Sequence, residues 1–123
     1  MEKLIIILGL LITTITLQAQ VVETYNAIDV YSMSEEYPFL YTLNTPVVVD
    51  VDSYNNMIIS YNEGTDTYKL AGVKGVYLPD YPIGKAYKYQ YIMNGKERVY
   101  VYIGVNFIEI DRVREFYIFY NKP

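Results

Sequence analysis

The chain contains no cysteine, no histidine and no tryptophan. Without histidine or cysteine it can assemble no Ser-His-Asp triad, no cysteine nucleophile, no zinc or haem site of the usual ligand sets, and no disulfide framework. Carboxylates, lysines, tyrosines and four serines (Ser32, Ser34, Ser53, Ser60) are what remain for acid, base or nucleophile, and no motif supplies the serines with a base. We therefore expect no enzyme, no cofactor and no bound metal.

Positive charge is missing from one long stretch. Residues 20–66 hold eight acidic side chains and no Lys or Arg, whereas 67–123 hold nine basic and five acidic ones. The chain as a whole is acidic, at −4, and its basic residues are scattered, so a nucleic-acid partner is not expected. The acidic and basic halves are expected to lie against each other.

Long apolar runs are also missing, except at the start. Residues 1–19 show a short charged beginning (Met1, Glu2, Lys3), an apolar core and the small residue Ala19, which is the layout of a secretory signal peptide. That core is shorter than the roughly 20 residues a membrane-spanning helix needs. Cleavage after Ala19 is expected, leaving one β domain over 20–123 and no transmembrane span. The ending Leu17-Gln18-Ala19-Gln20 resembles the signal-peptide ends of exported Gram-negative proteins. Export would place the protein in the periplasm, at the outer-membrane periphery or outside the cell. In such an oxidising compartment a cysteine-free domain has to rely on its apolar core.

What is present is a chain of strand patterns. Runs rich in Val, Ile and Tyr recur over 46–52, 56–62, 67–72, 85–93, 98–105, 107–111 and 114–120, with a further run over 23–31. Their spacing and intervening turn residues predict an all-β, antiparallel meander of about seven or eight strands, forming a small barrel or sandwich. Ser34-Glu35-Glu36 resembles a helix start within 32–43, a reading that Pro38 weakens. Around Asn94-Gly95 the alternation selects a three-residue loop over 93–95, with Gly95 left-handed. This pairs Tyr89 with Val99 and Tyr87 with Val101, so that Tyr87, Tyr89, Tyr91, Val99, Val101 and Ile103 share one face.

Asp50-Val51-Asp52-Ser53-Tyr54-Asn55-Asn56 has a calcium-loop look. The EF-hand pattern fails at Tyr54, Asn55 and Tyr61, and a strand-connecting turn is the expectation. Asp50, Asp52, Asp66, Glu109 and Asp111 form the pool from which a paired-carboxylate hydrolase would have to draw. Their spacing selects no pair, and alternate residues such as Glu109 and Asp111 are expected to share a solvated strand face.

Tyrosine is the compositional anomaly, at sixteen residues. A tyrosine ring offers a large apolar face with a polar tip, which suits strand packing and wet binding surfaces alike. Tyr100 and Tyr102, with Arg98 and Lys88, are expected to form an aromatic and cationic patch. Tyr117 and Phe119 point opposite to Phe116, Ile118 and Tyr120, so the last strand is either central or has one face waiting for a partner. The loop over 72–85, with Tyr77 and Tyr81, fits a binding loop or a packed lid. The function expected is non-catalytic binding by an exported protein, either as an accessory subunit of an envelope complex or a small inhibitor-like module, with a protein partner. The alternative is a carbohydrate or other small ligand at the tyrosine face or barrel mouth.

Overall fold

The computed structural model describes residues 21–34, 39–72 and 75–123. The expected leader at 1–19 lies outside the described residues, as do Glu35 and Glu36 of the possible helix start. Among the described residues there are eleven strands: β1 (Val21–Tyr25), β2 (Ala27–Ser32), β3 (Phe39–Leu43), β4 (Val47–Val51), β5 (Met57–Tyr61), β6 (Gly64–Leu70), β7 (Val76–Leu78), β8 (Ala86–Met93), β9 (Glu97–Gly104), β10 (Phe107–Asp111) and β11 (Glu115–Tyr120). No helix occurs among the described residues. The all-β, antiparallel expectation holds, and the strand count is corrected from seven or eight to eleven. The difference has three local causes: the 23–31 run divides at Asn26, residues 39–43 are extended, and a short strand forms inside the 72–85 loop.

All the strands belong to one sheet, in the order β1-β4-β5-β6-β8-β9-β10-β11-β2-β3, with β7 also paired to β8. At Asn26 the chain changes partner, from β4 beside β1 to β11 beside β2. The Asn26 amide donates to Tyr120 O (3.2 Å) and its Oδ1 accepts from the Lys122 amide (2.7 Å), which pins this crossing point to the end of β11. Because a single residue separates β1 from β2, the two ends of the sheet order are drawn together and the sheet curls into a half-barrel. Tyr61 on β5 consequently meets Phe119 on β11 across the interior, with ring centroids 6.3 Å apart.

The inner face of the curl is the core. Val47, Val49, Ile59, Val99, Val101, Ile110 and Phe119 are wholly buried there, with Tyr68 and Tyr91 edge-to-face at 6.4 Å. Each fully buried side chain of this size contributes roughly 2 kcal/mol. In a chain without disulfides, this packing holds the fold together.

The β8–β9 hairpin keeps the expected faces but shifts register by two residues. Tyr89 lies opposite Val101 and Tyr87 opposite Ile103, because the connecting residues are 94–96 rather than 93–95. Asn94 and Gly95 are both left-handed (φ 54° and 73°), and the Lys96 amide closes the turn onto Met93 O at 3.0 Å. Asn94 tolerates this backbone because it is held on β6: its amide donates to Thr67 O (2.7 Å), and its Oδ1 accepts from the Thr67 amide (2.8 Å). Even shifts preserve side-chain parity, so Val99, Val101 and Tyr91 still face inward.

The Asp50–Asn56 segment is a turn. Asp52 Oδ1 accepts from the amides of Tyr54 (2.8 Å) and Asn56 (3.0 Å), and Asn55 turns left-handed at φ 66°. The Asp52 carboxylate is thereby spent on the backbone.

Candidate functional site

Two places concentrate chemistry. The first is the outer face of β8–β11. Its rows follow from the register: Lys88, Tyr102, Glu109, Ile118, Asp29 and Thr42 are successive cross-strand partners. The next row brings Tyr100, Asp111, Phe116, Tyr31 and Phe39 into line. Lys88 Nζ sits 4.5 Å from the centre of the Tyr100 ring and 5.6 Å from that of Tyr102, within cation–π range. Arg98 stands exposed on the same face.

The loop after β7 folds back over this face. Tyr81 stacks on Tyr102 (4.6 Å, 18°) and on Phe107 (6.4 Å), and its hydroxyl donates to Glu109 Oε1 at 2.8 Å. The Tyr81 turn is closed by the Gly84 amide on Tyr81 O at 3.0 Å. Gly104 makes room for the arrangement, since a Cβ there would collide with the Phe107 ring. Of the two readings of this loop, the structure supports a packed lid around Tyr81. Tyr77, by contrast, remains 48% exposed, with its ring 5.0 Å from that of Tyr87.

Beneath the lid lies the second correction. Glu109 is only 6% exposed and does not sit on a solvated strand face. Burial, followed by its hydrogen bond with Asp111, pushes its carboxyl up to about 8. Asp111 Oδ1 is itself buried with no other hydrogen-bond partner. The two observations explain each other, since a protonated Glu109 donates to Asp111 while accepting from Tyr81. Burial and the adjacent carboxylates also push the Tyr102 hydroxyl up to about 12. Tyr81 thus caps Glu109, with Asp111 half-buried beside it.

The second place is the open mouth of the half-barrel. Between β3 and the β5–β6 hairpin lies a cavity of about 210 Å³, lined by Tyr41, Tyr61, Tyr117 and Phe119, with Glu63, Asp66 and Arg112 among its polar groups. Arg112 is engaged: Nη2 donates to Glu97 Oε1 at 2.8 Å, Nε to Oε2 at 3.2 Å, and Nη1 to the Tyr117 hydroxyl at 3.1 Å. The Tyr117 hydroxyl in turn donates to Glu115 Oε1 at 2.9 Å. Hydrogen bonding to Glu97 raises Arg112 well above its usual range, and the same bond lowers Glu97. This ion pair lies within the second half of the chain. Near this lining the Tyr68 side chain is only 1% exposed, and its hydroxyl interacts with that of Tyr61. Burial first, and then Tyr61 and Asp66, push it far up.

The residues expected to form a site separate into three groups. Tyr100, Tyr102, Lys88 and Arg98 do share the outer face, but Tyr102 is 9% exposed beneath Tyr81, so the open part of the patch is Tyr100 with Lys88. Tyr117 and Phe119 point into the curl, where Phe119 is wholly buried, and β11 is a central strand paired on both edges, with β10 and β2. Tyr77 and Tyr81 sit on the same connection but do not act together. Tyr41, Tyr61, Asp66 and Arg112 carry no signal as binding residues in the sequence, because only the curl of the sheet brings them together.

No protein-family model, curated protein or solved structure matches this chain.

Proposed function

We propose that the protein is a non-catalytic binding domain that takes a small ligand into the mouth of the half-barrel and, with the leader expected at 1–19, works after export. The supporting observation is the cavity itself. It is concave, walled by four aromatic rings, and given polarity by a few side chains at one side, which is how small-molecule sites in β-barrel mouths are built. Against catalysis stand the composition and the burial of Glu109 beneath Tyr81.

Tyr41 is the handle for a test, being 49% exposed and so of little weight in the core. In a ligand-observed NMR screen with ring compounds bearing hydroxyl and amino groups, hits should perturb the Tyr41 and Tyr61 resonances. Tyr41→Ala should weaken those hits about fivefold or more, as expected for the loss of one aromatic contact worth ~1 kcal/mol. Perturbations that map instead to Tyr100 and Lys88 would move the site to the outer face.

A second reading rests on a different observation. Phe39, Leu40, Tyr41 and Leu43 are each about half exposed (54%, 48%, 49% and 45%), and β3 ends the sheet order with β2 as its only paired neighbour among the described residues. An uncharged, apolar edge strand is a template for an extended segment of a protein partner. Charge on such an edge discourages pairing, so Leu40→Lys should abolish capture of a stoichiometric envelope partner by the tagged protein and leave small-ligand binding intact. Undiminished capture by the variant would remove β3 from consideration.

A further inference from the structure

Resting on the mouth as the ligand site, we infer that the ligand it selects is a small organic cation, an alkylammonium group carried on a short apolar or hydroxylated body. Three features of the cavity converge on this. Its rings come first: Tyr41 and Tyr61 line the opening, the Tyr117 ring there already carries the Arg112 guanidinium 6.0 Å from its centre, and the faces of such rings attract cations, ammonium groups above all.

The second feature is the local balance of charge. Glu63 and Asp66 stand in the lining, and neither has a cationic partner among the described residues; Asp66 is instead bonded by the Asn94 side-chain amide at 2.9 Å. Arg112, the cation of the lining, is neutralised by Glu97 through Nη2 at 2.8 Å. The cavity therefore keeps two negative charges in excess. An anionic ligand would meet both carboxylates, and the one guanidinium is already held by its partner. A cationic ligand meets rings and carboxylates together.

The third is size. At about 210 Å³ the cavity holds roughly seven groups of water size, at ~30 Å³ each, which matches a compact ammonium compound. Ile28, Val30 and Leu43 offer an apolar wall to its carbon body.

The test uses the full chain and two probes of nearly equal shape: choline chloride, and its uncharged isostere 3,3-dimethylbutan-1-ol. In NMR titrations following the Tyr41 and Tyr61 rings, choline should bind saturably and at least about fivefold more tightly than the alcohol, a preference of the size expected for partly exposed cation–π and charge contacts. The preference should shrink as salt is raised, because screening acts on the charge contribution alone. Glu63→Gln should lower choline affinity about threefold and leave the alcohol unchanged. Glu63 is exposed, so the variant is expected to fold normally. Equal affinities for the two probes would overturn the inference of a cation while leaving the mouth as a small-ligand site. Failure of both probes to perturb the mouth at roughly 100 mM, far weaker than the millimolar range of even loose sites, would overturn the site as well.

Discussion

Raising the pH from about 5 to about 9 is expected to destabilise the protein, and Glu109→Gln is expected to remove most of that loss. The direction follows from linkage. The Glu109 carboxyl has an ordinary value near 4.5 in the unfolded chain and about 8 in the fold, so between those values the folded state holds a proton that the unfolded state does not. Stability contributed by this group is fully present below the unfolded value and is lost as pH rises through the folded one. Each tenfold gain in proton affinity on folding is worth about 1.4 kcal/mol, so the total is on the order of a few kcal/mol, a large part of what a domain this size has to spare. Above pH 8 the Glu109 carboxylate, buried against the Tyr81 hydroxyl, faces the Asp111 side chain. Glutamine keeps both bonds without ionising: its amide N–H donates to Asp111 Oδ1 and its carbonyl accepts from the Tyr81 hydroxyl. Urea unfolding of both proteins at intervals between pH 5 and 9 checks this. The stability difference should shift steadily toward the variant between about pH 5 and 8 and level off above, and parallel curves would show that Glu109 is not the titrating group.

The second large effect is expected at Phe119. Its ring is wholly buried and touches Tyr25 at 6.5 Å and Tyr61 at 6.3 Å, so it spans the interior between opposite parts of the curl. Phe119→Ala should cost about 3–5 kcal/mol, the transfer free energy of the ring plus that of the cavity left behind. Val105, 89% exposed in the β9–β10 turn, provides the control, and Val105→Ala should change stability by less than about 0.5 kcal/mol. If the two variants unfold at similar denaturant concentrations, the interior is not packed as described. Phe119 also borders the mouth, so its loss should blunt ligand binding in any population that still folds.

These two residues also show how far the sequence is readable. Local alternation carries parity: it sets Phe119 opposite Ile118 and Tyr120, and it puts Tyr91, Val99 and Val101 on one face, as they are in the fold. The alternation of β10 is equally clear, but its meaning is not. Glu109 and Asp111 share an outer face, and in isolation an acidic outer face implies solvent. What covers it is Tyr81, contributed by a loop two strands earlier in the chain, and no local period encodes that contact. The register of the β8–β9 hairpin shifts for a similar reason, since Asn94 bonds to Thr67 on a neighbouring strand and holds the turn one residue later. The mouth is the least legible part. Tyr41, Tyr61, Asp66 and Arg112 come from four separate segments and carry no shared motif, so their association depends on how strongly the sheet curls. Acidic residues without nearby bases in 20–66 are visible in the sequence, and they give the mouth its charge.

The passage of β1 into β2 through Asn26 sets an order in time. Ala27 pairs with Tyr120, far downstream in the sequence, so β2 has no β11 to pair with until β11 has been made. Pairings this distant are slow to form, because the loop between them must close before any contact rewards it. The neighbouring pairings of β4–β5–β6 and β8–β9–β10–β11 need no such wait, so closing the curl through β2 is expected to follow them.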